Sequence, residues 1–302
     1  MIYFVTRYYK GTINEFIDSW AGHLRTQVRV IRYREIPFLK SVSPGAYIFA
    51  DLERLRPWEN FFAKKLSRRL KNHSEKFQAL NNPNHYLGKF ELLKILHRRG
   101  INDFQVYRLN ELNQSTELKF PVFIRRDDDH RGSVGGLLHS RSELNSALSK
   151  LSLRDRFQKK RLMVVEYCDC SDADRTFRKY SATNINGALI PSHIYFSKQW
   201  LTKIPDLITE SHAAEEMDFV QNFPHEKQIA KVFQLAGLTY GRVDYGVKNG
   251  RVQIWEINTN PIIVRPRETM DPKRLSSQTQ SARWIAEAFV AAGKTQSIHG
   301  KS

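Results

Sequence analysis

Between Gly241 and Ile263 the sequence runs GRVDYGVKNGRVQIWEINTNPII. Arg242 and Asp244 are two residues apart, and Glu256 and Asn258 repeat that spacing beyond a Lys248-Asn249-Gly250 turn. Side chains alternate along a strand, so each pair occupies one strand face. Asn-Gly tolerates the positive φ that a tight hairpin needs. If the two faces coincide, two carboxylates, an amide oxygen and a guanidinium converge. Oxygen ligands of that kind suit a hard cation such as Mg²⁺, with phosphate oxygens and water completing its shell. A fixed Arg beside them suits the charge of a migrating phosphoryl group. A hairpin with a charged solvated side is the bland alternative. Four such residues at strand-compatible spacing, with apolar residues flanking them on both strands, favour a site.

Other catalytic signatures are missing from the sequence. There is no G-x-x-x-x-G-K-S/T phosphate loop, no G-x-S-x-G elbow, no H-E-x-x-H pair and no G-x-G-x-x-G after a strand, and the histidines lack metal-ligand spacing. The two cysteines, Cys168 and Cys170, point to one face of an extended chain, but no nearby His or Cys completes a ligand set, so plain reduced thiols are expected. No stretch approaches the ~20 apolar residues of a membrane span. The opening MIYFVTRYYKGT has too short an apolar run for a signal peptide, so a cytoplasmic protein is expected. The formal charge is +17, and residues 1–110 hold 20 Lys and Arg against 9 Asp and Glu. That positive field favours an anionic partner without choosing among nucleic acid, acidic peptide, phosphorylated metabolite and anionic membrane surface.

The elements that must position these residues follow from patterning. Met1–Arg7, Val28–Tyr33 and Ala46–Asp51 suggest strands, and Ile13–Arg25 a helix, which together make a small α/β unit. Phe61–Lys76 forms a basic amphipathic helix with Phe62, Leu66 and Leu70 on its apolar stripe; a solvated face is favoured there over a dedicated nucleic-acid or membrane contact. Asn81-Asn82-Pro83-Asn84 breaks the chain, which divides it into a basic N-terminal α/β domain over 1–82 and a second domain over 83–302. Helices are expected over Tyr86–Gly100, Arg141–Leu151 and Arg154–Lys160. Strands are expected near Phe104–Leu109, Phe120–Arg126, Arg161–Tyr167, Thr176–Thr183, Ile190–Phe196, Gly241–Val247 and Arg251–Ile257. Residues from Thr295 suggest a frayed tail.

The order R-x-D-Y, hairpin turn, E-I-N-x-N-P resembles the C-terminal signature of the ATP-grasp superfamily, which includes D-alanine:D-alanine ligase and the peptide-modifying glutamate ligases. The resemblance implies an α+β fold of two subdomains that grip ATP, here 83–165 and 166–302, behind an N-terminal α/β domain. It implies that Asp244, Glu256 and Asn258 bind magnesium, with Glu256 bridging two ions and manganese as an alternative metal, and that Arg242 stabilises the transferring phosphate. Phe120–Arg125 is similar to the family's F-P-V-V-V-K strand, with Arg125 where the family has a phosphate-contacting Lys. The run from Arg131 through Gly132, Ser133, Gly135 and Gly136 is similar to the loop that closes over the phosphates. Val164–Cys168 resembles the adenine-binding hinge, implicating Glu166, Tyr167 and Cys168. Asp174 is matched to the ribose-binding acid with Asp172 as competitor, and Lys89 to an early phosphate-contacting Lys. A Gly often found after the final Pro is Ile262 here.

By that resemblance the protein is a Mg-ATP-dependent ligase that activates an acidic carboxylate substrate as an acyl phosphate for an amine or thiol nucleophile. Two alternatives share the same residues: a small-molecule or polyphosphate kinase, and a non-catalytic binding module for an acidic partner. Nucleic acid is the less favoured partner, because the basic half lacks recognisable nucleic-acid-reading motifs. Arg265 and Arg267 are candidates for holding the acidic substrate.

Overall fold

A computed structural model describes residues 1–7, 12–72, 76–113, 115–128, 132–152, 155 and 161–294. Arg131, the expected helix over Arg154–Lys160 apart from Asp155, and the tail from Thr295 lie outside the described residues. Among the described residues no helix is long and apolar enough to cross a membrane.

The N-terminal sheet is parallel, in the order β2 (Val28–Arg32), β1 (Ile2–Thr6), β3 (Gly45–Phe49), β4 (Phe77–Leu80). All five residues of β1 are buried, because layers cover both faces of a parallel sheet. Tyr3 and Val5 share a core with Leu66 and Leu70 of α2 (Pro57–Lys71). Ile2 and Phe4 share one with Phe16 of α1 (Ile13–Ser19) and with Ile285 and Phe289 near the C-terminus. The α1 helix is shorter than the expected Ile13–Arg25, with a 3₁₀ turn at Gly22–Leu24 following it. Helix α2 starts earlier than its apolar stripe suggests: Pro57 sits in its first turn and Glu59 Oε2 accepts the Arg56 N–H at 2.7 Å. Its Lys65, Arg68, Arg69 and Lys71 are exposed, which is the solvated face.

Next come α3 (Lys89–Arg98), β5 (Val106–Arg108), β6 (Val122–Arg126), α4 (Arg141–Ser149) and β7 (Leu162–Glu166), whose strands pair antiparallel as β5-β7-β6. The last unit holds β8 (Phe177–Ile185), β9 (Ala188–Ser197), α5 (Glu210–Asn222), α6 (Glu226–Ala236), β10 (Tyr240–Lys248), β11 (Arg251–Asn258) and α7 (Leu275–Gly293). Its antiparallel sheet runs β11-β10-β8-β9. Helix α7 buries its Ala282–Phe289 face against both this unit and the N-terminal sheet.

One residue ties the two halves. Asn81 is fully buried at positive φ (58°). Its Nδ2 donates to Phe49 O (3.1 Å) and Tyr240 O (2.8 Å), while its Oδ1 accepts from Thr239 N (3.0 Å) and Tyr240 N (2.9 Å). The amide thus satisfies backbone groups of β3 and of the entry to β10, the strand that carries Arg242 and Asp244.

Candidate functional site

The β10–β11 hairpin turns on Asn249 (φ 50°) and Gly250 (φ 73°), the positive-φ pair that an Asn-Gly turn supplies. Its register sets Arg242 opposite Asn258 and Asp244 opposite Glu256. Residues directly opposite share a sheet face, so the two expected pairs converge. A bulge follows, since Tyr245 pairs with Ile254 and leaves Trp255 without a partner strand residue. The same cross-strand row continues through Ser181 of β8 to His193 of β9. Glu256, Asp244, Ser181 and His193 therefore occupy one line across four strands.

Glu256, Asp244 and His193 of that line front a cavity of about 330 Å³ between the two antiparallel sheets. Arg125, Gly132, Ser133, Glu166, Tyr167, Cys168, Arg242, Asp244, Glu256 and Asn258 all line it. Lys89 and Arg125 reach Glu256 from α3 and β6: Lys89 Nζ lies 2.7 Å and Arg125 Nη2 2.9 Å from Glu256 Oε2. Lys89 is buried, so it is no solvated helix lysine. Burial pulls its ammonium below the ordinary 10.5, more than the Glu256 carboxylate restores. Asp244 has its own cations, Arg242 Nε at 2.9 Å and Lys179 Nζ at 3.7 Å, and accepts a hydrogen bond from Ser181 Oγ at 2.8 Å. Burial pushes its carboxyl up, but Arg242 and Lys179 outweigh that and hold it below 3.8. Arg242 also donates from Nη1 to Ile262 O at 2.8 Å, which fixes its plane.

Beside Tyr167 lies an aromatic slot. Trp200 stands 5.0 Å from Phe123 and 5.8 Å from Tyr167, centroid to centroid, with the Tyr167 pair edge-on. Gly132, at φ 98°, closes against the segment after Trp200: a Cβ there would come within 3.0 Å of Lys203 Cε and 3.2 Å of Leu201 Cδ2. The positive φ favours glycine here, and a Cβ would also push the Lys203 and Leu201 side-chain ends back by a few tenths of an ångström. Glu166 lies at the slot, but its carboxylate accepts the Gln105 and Lys119 N–H groups at 2.9 Å each. That leaves it holding loops in place. Cys168 and Cys170 sit with their sulfurs 4.0 Å apart at the cavity wall.

Some expected residues are not brought here. Gly135 and Gly136 do not line the cavity, and Ser133 Oγ closes a local turn onto Gly135 O at 2.6 Å. Asp174 and its competitor Asp172 also lie outside it. Asp174 is exposed and turned onto Thr176 N (3.0 Å) and Thr176 Oγ1 (2.6 Å), while Asp172 pairs with Arg178. Arg265 lines the cavity, whereas Arg267 stacks over the Trp20 ring at 4.5 Å, away from it. Conversely, Lys179, His193, Trp200 and Arg274 line the cavity without having been singled out by motif.

No protein-family model matches the chain, and no curated protein matches it. Solved structures do. D-alanine–D-alanine ligase from Bacillus anthracis, complexed with ATP, is 15% identical over 97% of this chain and 98% of its own, with a TM-score of 0.54. L-amino acid ligase from Bacillus licheniformis is 14% identical over 94% of this chain and 74% of its own, with a TM-score of 0.52. A likeness of that kind over nearly the whole chain concerns the fold, and the chain has the ATP-grasp fold.

Proposed function

We propose that the protein is an ATP-dependent ligase that activates a carboxylate as an acyl phosphate and passes the acyl group to an amine or thiol. The observation that carries this reading is the juxtaposition of Asp244 with Glu256 and of Arg242 with Asn258 on one sheet face, fronting a cavity that Arg125 also lines, with buried Lys89 paired to Glu256. The donor set fits magnesium: two carboxylates and an amide, all oxygen, and Asn258 Oδ1 spends only one acceptor site on Asn260 N at 2.9 Å. Asp244, Glu256 and Asn258 would hold the metal. Magnesium, when bound there, would neutralise phosphate charge and leave the γ-phosphorus open to attack.

The chain's own groups supply the rest. Tyr167, Cys168 and Trp200 hold the base in the slot, while Lys89 and Arg125 hold phosphate oxygens. Arg242, with Lys179 beside it, faces the negative charge that develops as the γ-phosphoryl group moves. A substrate carboxylate oxygen displaces ADP from the γ-phosphorus, and the amine nitrogen or thiol sulfur then displaces phosphate from the carbonyl carbon, losing its proton. The Gly132–Ser133 strand edge and the Trp200–Lys203 segment meet over the cavity and keep water from the acyl phosphate.

Titration calorimetry of ATP with and without Mg²⁺ tests the site, and hydroxylamine trapping of an acyl phosphate across a set of carboxylic acids tests the reaction. Magnesium-dependent binding with a trapped hydroxamate is the expected result. Nucleotide binding with ATP turnover but no hydroxamate from any acid would replace the ligase reading with a kinase. No binding would remove the nucleotide reading altogether.

A further inference from the structure

The cavity extends beyond the groups that the proposed reaction uses. At the β9 end of the cross-strand row, His193 is only 4% exposed, lines the cavity, and has no partner for Nε2 among the described residues. A buried polar nitrogen left unpaired is costly and calls for an explanation. Its ring stacks on Tyr195 with centroids 4.0 Å apart. Three cations surround that phenol: Arg265 Nε donates to Tyr195 Oη at 3.2 Å, and Lys179 and Arg274 each lie 4.9 Å from the ring centre. Arg274 is held in place by buried Glu216 at 2.8 Å, and Glu216 is tied in turn by Ser277 Oγ at 2.6 Å and Gln278 Nε2 at 2.9 Å.

Tracing each charge to its partner narrows the possibilities. Arg242 and Lys179 share Asp244, Lys89 and Arg125 share Glu256, and Arg274 is matched by Glu216. Among the described residues at this end, Arg265, whose hydrogen-bond partner is the Tyr195 hydroxyl, and the His193 Nε2 are donors without an acidic partner. Burial and the nearby Arg242, Arg274, Lys179 and Arg265 depress the imidazole, so it stays neutral and can present Nε2–H. A neutral donor beside a guanidinium is a receptor for one anionic oxygen pair, and it would repel a second cation.

We infer that His193 and Arg265 form a subsite for a second carboxylate of the substrate, so that the acid activated at Arg242 is a dicarboxylic one. This rests on the ligase reading above and deepens it. Two strand spacings, about 10 Å, separate the Asp244 and His193 backbones along the row. The reacting carboxylate lies between them, near Arg242 and Lys179, so the second carboxylate sits a short carbon chain away. The triphosphate occupies the opposite, Glu256 end, where Lys89 and Arg125 enter.

The test is calorimetric titration of glutarate, butyrate and 3-phosphonopropionate into the native protein with Mg²⁺ and a non-hydrolysable ATP analogue, repeated with His193→Leu, His193→Gln and Arg265→Met. Native protein should bind glutarate at least ten-fold tighter than butyrate. His193→Leu and Arg265→Met should each weaken glutarate by about ten-fold or more, the scale of one hydrogen bond to a charged group, with butyrate unchanged. His193→Gln, which keeps an N–H donor, should retain part of the gain. Arg265 is only partly buried, so its variant gives the answer if the His193 variants fail to fold. Equal binding of glutarate and butyrate while the nucleotide analogue binds would overturn the subsite and leave the ligase reading intact. His193-dependent glutarate binding without nucleotide binding would do the reverse. Tighter binding of 3-phosphonopropionate than of glutarate would overturn the carboxylate assignment in favour of a phosphoryl group.

Discussion

Replacing Glu256 by Gln removes one charge at nearly constant volume and leaves two buried cations facing a neutral amide. Their side chains are 2% exposed for Lys89 and 9% for Arg125. Removing one partner of a buried ion pair costs about 3–5 kcal/mol, because the remaining charge has lost both its partner and its water. Lys89 has an outlet that Arg125 lacks, since its burial-depressed ammonium can release its proton. Without Glu256 it is depressed further. A folded-state value below the unfolded 10.5 means that the unfolded chain binds more protons, so this contribution to stability grows as pH rises. The variant should therefore be about 3–5 kcal/mol less stable at pH 7. That deficit should narrow as pH rises toward the unfolded lysine's 10.5, with a limiting slope of about 1.4 kcal/mol per pH unit. Urea unfolding at each pH measures it, and a Lys89→Met/Glu256→Gln double variant should recover part of the loss. A deficit below about 1 kcal/mol at pH 7, the level of an exposed pair, would refute the network as a buried one. So would a deficit that ignores pH.

Two further substitutions probe the scaffold and the slot. Asn81→Ala strips four buried backbone groups of partners, at about 1 kcal/mol each, and puts a Cβ residue with no polar side chain at positive φ, for about 4–5 kcal/mol in total by urea unfolding. Asn81→Gly should recover only the conformational part; a loss under about 1.5 kcal/mol for Asn81→Ala would mean that the bonds are not holding β3 to β10. Trp200→Ala removes one wall of the aromatic slot and should weaken ATP by about five- to ten-fold in calorimetry, with the unfolding midpoint nearly unchanged. Unaltered ATP affinity would place the base elsewhere.

The hairpin was legible because its information is local. Period-two spacing put Arg242 and Asp244 on one face and Glu256 and Asn258 on another, Asn249-Gly250 set the turn, and the register made the faces one. Asp174 shows where local reasoning ends. Its distance along the chain suits a ribose contact, but an Asp two residues before a Thr is drawn onto that residue's backbone N–H. His193 depends on long-range pairing: β8 and β9 turn on Asn186 and Gly187, both at positive φ, and the register then shifts by one residue between Ser181 and Ala182. Counting outward from the turn without the bulge puts His193 on the wrong face. The Asn186-Gly187 dipeptide was a readable hairpin signal, whereas the bulge was not. Helix α6 was also within reach, because Ile229, Val232, Phe233 and Ala236 keep helical spacing before an αL Gly237. Nothing local marks Trp200, which is placed by its packing on Phe123 and Tyr167.

The charge pattern of the site bears on how magnesium and nucleotide would enter under the proposed function. Each proposed metal carboxylate already carries its own cations, Lys89 and Arg125 on Glu256, and Arg242 and Lys179 on Asp244. A metal ion arriving alone would compete with ammonium and guanidinium groups a few ångströms away. A triphosphate arriving alone would draw those cations off and leave two buried carboxylates facing it. With both present, phosphate oxygens would take the cations and Asp244 and Glu256 would hold the metal, so each buried charge would keep a partner. Each ligand removes the electrostatic cost of the other, and by linkage the coupling must be equal in both directions. Under the proposed function, a dependence of nucleotide binding on magnesium would then be a property of the whole set of ion pairs. The same four cations can thus pair with Glu256 and Asp244 and still be available to phosphates: their partners would be exchanged, and their burial kept.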